Sequence, residues 1–112
     1  MRRRQPVTPR LLTGQDGYPV RHPYVRRFWT AAIGPASVAA LLRLARAAER
    51  SQPILRPTTT PTLARAGLVV EQGREVWVRS TVPPLPDPLL RRLPQALQRE
   101  ALATTQQLTT ND

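Results

Sequence analysis

The side chains in this sequence best equipped for chemistry are its arginines. All 17 basic residues are Arg, set against 7 acids, for a formal net charge of +10. A guanidinium is planar and always charged, grips phosphate through two parallel hydrogen bonds and stacks on base faces, so the chemistry on offer is recognition of a polyanion. The charge is also uneven. Residues 1–48 carry nine Arg and only Asp16, whereas residues 49–112 carry eight Arg and six acids. The electrostatic footprint therefore falls in the first half, and nucleic acid is the commonest partner for such a half. A GC-rich codon bias would account for the choice of Arg over Lys, but not for the excess of positive charge.

Catalysis finds little to work with. His22 is the single histidine, and Asp16, Glu49, Glu71, Glu75, Asp87, Glu100 and Asp112 show no spacing that pairs them for acid–base work. There is no phosphate-cradling glycine loop, nucleophile elbow or metal-ligand cluster. Cysteine is absent, which removes disulfides and thiolate metal sites. A binding protein without catalytic residues, cofactor or metal is expected. Met1-Arg2-Arg3-Arg4 is similar to the charged start of a secretory signal, yet Gln5 to Pro19 supplies no apolar run, and no stretch is long enough to span a membrane. A cytoplasmic protein with no membrane partner is the expectation.

These arginines need elements to position them. Residues 1–21 carry Pro6, Pro9, Pro19, Gly14 and Gly17 without helical or strand period, and are expected to form a disordered basic arm. Its functional version folds onto a phosphate backbone through Arg2, Arg3, Arg4 and Arg10. From His22, the positions Val25, Phe28, Trp29, Ala32 and Ile33 form one helical stripe, with Pro23 at its start and Gly34 at its end. The spacing predicts that Phe28 and Trp29 pack in the core, with Arg21, Arg26 and Arg27 flanking the helix.

Pro35 opens a second predicted helix to about Arg50, with Val38, Leu41, Leu42, Leu44, Ala45 and Ala48 on one face. At about 100° per residue, Arg43, Arg46 and Arg50 fall within about 60° of each other and form a basic ridge. Pro53, Pro57 and Pro61 end that helix, Ile54 and Leu55 dip into the core or form a short strand, and Thr60 with Pro61 starts a helix of about six residues that stops at Gly67. Leu68–Val70 and Val76–Arg79 then read as a hairpin around Gly73. With a loop of Gln72–Arg74, Val69 and Trp77 pair on its outer face. After Ser80 come a proline-rich covering stretch and a C-terminal helix from about Pro94.

The run of helices, short helix, "GLV" stop and hairpin over residues 35–80 resembles the winged helix-turn-helix family, chiefly at Leu63, Ala64, Gly67, Leu68, Val69, Gly73 and Val76 to Val78. The resemblance implies a mainly α, winged-helix-like single domain with a small hairpin: an arm at 1–21, a core at 22–80 and a linker with C-terminal helix at 81–112. It also implies DNA rather than RNA, with Arg65 on the short helix as the candidate for base contact. The hairpin tip, EQGRE, is net negative, so its first expected role is closing the core rather than tracking phosphate. A second reading is a protein-interaction module that docks on an acidic protein or ribonucleoprotein through Val69 and Trp77.

Overall fold

The strand that organises the fold comes from a stretch broken twice by proline. A computed structural model describes residues 5–110, with side chains to Thr105. In order it contains β1 Pro6–Leu12, β2 Tyr18–Pro19, a π-helical turn Val25–Trp29 running into α1 Thr30–Ile33, α2 Pro35–Glu49, β3 Ile54–Leu55, α3 Thr60–Arg65, β4 Val69–Gln72, β5 Glu75–Arg79, β6 Thr81–Val82, α4 Asp87–Leu90 and α5 Gln95–Thr110. The main sheet has the order β3-β1-β5-β4, and β2 pairs separately with β6.

The two prolines of β1 are tolerated because of where their missing donors point. Thr8 N–H donates to the Arg74 carbonyl at 2.8 Å, so the even residues of β1 direct their backbone groups toward β5. Pro9, being odd, faces the other flank, where β3 pairs only with Pro6 and Val7 and has already ended. Pro6 faces β5's side before the parallel pairing begins at Thr8 and Glu75. Neither proline therefore removes a ladder hydrogen bond. The same alternation buries Val7 and Pro9 on the inner face, beside Val69, Val76 and Val78.

The long amphipathic helix α2 covers that inner face. Val38, Leu41, Leu44 and Ala45 recur at helical spacing and are all buried, and α2 lies against both β1 and β5. Each fully buried leucine or valine contributes about 1.5–3 kcal/mol. The π-helical turn and α1 add Val25, Phe28, Trp29 and Ala32 to the same core, as the stripe predicts. Trp29 Nε1–H donates to the Pro83 carbonyl at 3.0 Å, and Leu85 N–H donates to Tyr24 Oη at 3.0 Å. These two bonds tie the PPLP stretch across the core, which is the covering role expected of it.

Two expectations fail here. The fold is not a winged helix: it is a mixed α/β fold, in which the hairpin β4–β5 is half of a four-stranded sheet rather than a wing. Nor are residues 6–12 a disordered arm, since they form β1, parallel to β5 with Leu11 beside Val78. A parallel pair needs a long crossover, and the helices between β1 and β5 supply it. The short helix α3 packs against α2 and β4 as part of that crossover.

The hairpin register also differs by one residue. Its turn is Gly73–Arg74, with Gly73 at φ +59°, a conformation that favours glycine at the first turn position. The two-residue turn sets Val69 against Val78 and Val70 against Trp77. Val69 therefore points into the core at 3% exposure, and Val70, at 47%, is the outer neighbour of Trp77. The expected outer pair of Val69 and Trp77 is corrected to Val70 and Trp77, because a one-residue slip exchanges the two faces of a strand.

Candidate nucleic-acid interface

The sequence lists eleven arginines for phosphate or base contact, and the structure sorts them. Arg2, Arg3 and Arg4 lie outside the described residues. Arg10 sits in β1 and forms an ion pair with Glu75 of β5. Arg27 pairs with Glu100 of α5 at 2.8 Å and lies over the Phe28 ring at 5.7 Å. Arg65 is exposed in the last turn of α3 and lines neither of the grooves described below. Its base-reading role came with the winged-helix resemblance, which this fold does not support.

The remaining five converge. Arg43 and Arg46 on α2, and Arg50 at its C-cap, are exposed, whereas Leu41 and Leu44 of the same helix are buried. Arg21, just before the π-helical turn, and Arg26, within it, join them around a cleft of about 440 Å³ that also includes Leu42 and Glu49. A basic residue in the last helical turn is also favoured by the negative end of the helix dipole.

One acid shares this cleft. Arg21 donates from both terminal nitrogens to Glu49, at 3.2 and 3.1 Å, in a two-pronged bond. That bond holds the Glu49 carboxyl below its usual value, with Arg50 and Arg46 adding to the effect, and raises Arg21 in turn. Glu49 is thus the one anion of this cleft, held in the fork of a guanidinium. Arg26, Arg43, Arg46 and Arg50 have no ion-pair or hydrogen-bond partner among the described residues. Elsewhere among the described residues, Arg10, Arg27 and Arg56 are each matched with a carboxylate, and Arg65, Arg74, Arg79, Arg91, Arg92 and Arg99 have no carboxylate partner; this face differs in gathering five arginines around one cleft.

The ridge on α2 was legible from helical spacing. That Arg26 would join it, and that Arg10 and Arg27 would be neutralised, was not: the Arg27–Glu100 contact spans 73 positions. His22 has a local task, its Nδ1 accepting the Tyr24 backbone N–H at 3.1 Å. Among the described residues no helix is long and apolar enough to cross a membrane. Compared with protein families, characterised proteins and solved structures, the chain matches none.

Proposed function

We propose that this protein binds nucleic acid through its phosphate backbone, with Arg26, Arg43, Arg46 and Arg50 as the contacting groups and Arg21 held in reserve by Glu49. The observation that carries this reading is the convergence of charge: Arg21, Arg26, Arg43, Arg46 and Arg50 surround one cleft whose lining holds a single carboxylate, that of Glu49. Unpaired cations held close together repel one another, and phosphate relieves that repulsion while releasing condensed counterions. The preference for DNA over RNA rested on the winged-helix resemblance and is not carried forward. The proposal assigns binding and no catalytic step, and places it in the cytoplasm.

The test is fluorescence anisotropy against duplex and single-stranded oligonucleotides across a salt series. Four phosphate contacts give a slope of log affinity against log salt of about −3.6 on duplex and about −2.8 on a single strand. Affinity should then fall about 150-fold and about 50-fold, respectively, between 50 and 200 mM salt. Affinity indifferent to salt would falsify the proposal.

A second reading, docking on a protein partner, draws on the outer sheet face, where Leu12, Val70, Gln72 and Trp77 line a hollow of about 320 Å³. Loss of partner association in Trp77→Ala, with nucleic-acid affinity unchanged, would favour it.

A further inference from the structure

The two sides of the arginine ridge differ in chemistry. On the side of Arg21 and Arg26, the Glu49 carboxylate already occupies the place of an anion. On the other side, Arg43, Arg46 and Arg50 wall a second groove of about 470 Å³, whose remaining lining is Ala47, Gln52, Ile54 and Leu55, with no carboxylate. Leu55 is 54% exposed, a large apolar side chain left to water beside three cations. Cations next to an apolar floor suit a ligand with phosphate on one side and a flat apolar face on the other.

The junction between helix and floor is fixed by backbone. Ser51 N–H donates to Ala48 O at 3.2 Å and Gln52 N–H to Ala47 O at 2.9 Å, the paired bonds of a Schellman turn. Ser51 adopts φ +52° to make them, a left-handed conformation that a residue with a Cβ resists. The turn sets the Gln52 amide against the end of the ridge, where it offers both donors and an acceptor.

We propose that this second groove receives an unpaired base of a single-stranded nucleic acid, with the flanking phosphates on Arg43, Arg46 and Arg50. The base lies against Leu55 and Ile54, within the lining that also holds the Gln52 amide, and the guanidinium planes add stacking surface. This inference rests on the nucleic-acid reading above and narrows it. A duplex keeps its base faces inside the stack and has only edges to offer, whereas the groove offers an apolar floor. The ridge from Arg43 to Arg50 is about 10 Å long, enough to reach the phosphates on either side of one base.

The experiment compares three labelled ligands of equal length by anisotropy: an oligothymidylate, the same backbone with abasic sites, and a duplex. Each is measured with the full chain and with Leu55→Ser and Gln52→Ala, both at exposed positions. The thymidylate should bind about fivefold tighter than the abasic strand, the low end of what one base stacked on an aromatic face supplies, because the floor here is aliphatic. Leu55→Ser should cut that ratio to about threefold or less while leaving abasic affinity and its salt slope unchanged, and Gln52→Ala should lower it in the same direction. Equal affinity for thymidylate and abasic strands, with the steep salt slope retained, overturns the base groove and leaves the phosphate reading standing. Tighter binding to duplex than to the thymidylate overturns the base groove as well. No binding to any of the three at low salt overturns both.

Discussion

Replacing Glu49 with Gln should strengthen nucleic-acid binding, the opposite of what a mutation at a binding face usually does. In the folded protein the Glu49 carboxylate accepts both of Arg21's donors, at 3.2 and 3.1 Å, and its charge also faces Arg46 and Arg50. Glutamine keeps the size of the side chain and removes the charge, so Arg21 becomes free to accept a phosphate. One added contact steepens the salt slope by about 0.9 on duplex and about 0.7 on a single strand. Over a fourfold range of salt, from 50 to 200 mM, the affinity advantage of the variant should therefore shrink by about threefold. Anisotropy titrations at several salt concentrations read both the gain and the slope. Stability should change little, because both partners are largely exposed and such pairs contribute weakly. A variant that binds no tighter than the parent at low salt, or gains affinity with no change of slope, refutes the view of Glu49 as a competing internal anion.

Further predictions follow from the fold and its titrating groups. Removing residues 1–12 should abolish cooperative unfolding by circular dichroism, because β1 lies between β3 and β5 and buries Val7 and Pro9; a winged helix with a free arm would survive the cut. Ser51→Gly should raise stability in urea by about 0.5–1 kcal/mol, since glycine adopts the left-handed turn without the Cβ clash that Ser51 bears at φ +52°. Burial raises the Tyr18 phenol above 10.0, opposed by the Thr105 hydroxyl and reinforced by Tyr24. Its folded form therefore favours the protonated phenol: the contribution to stability is complete below about pH 10 and is lost as the pH rises through the elevated folded value. Tyr18→Phe should flatten that alkaline decline in a denaturation series from pH 8 upward.

The helices were readable because their signals are local. Gly34, at φ +96°, separates two amphipathic stripes, and burial follows those stripes through Trp29, Leu41 and Leu44. β1 was not readable, since Pro6 and Pro9 carry the signature of an irregular arm. Only the partner strands reveal that the missing donors point to empty flanks. The hairpin was visible as a hairpin, but its register depends on whether the loop has two residues or three, and sequence left both open. That single residue moved Val69 inside and Val70 outside. At the candidate site, Arg43, Arg46 and Arg50 follow from helical geometry alone. Which other arginines remain unmatched depends on acids brought from far along the chain, such as Glu75 to Arg10 and Glu100 to Arg27. No periodicity encodes those meetings.

The most direct test of the account is the salt slope of nucleic-acid binding in the triple variant Arg43→Gln, Arg46→Gln, Arg50→Gln, measured beside the parent chain. Loss of three phosphate contacts should reduce the magnitude of the slope by about 2.7 on duplex or about 2.1 on a single strand, with the thermal melt preserved because all three side chains are exposed. A triple variant that melts like the parent and keeps the parent's affinity and slope would place the phosphate contacts elsewhere and contradict the account.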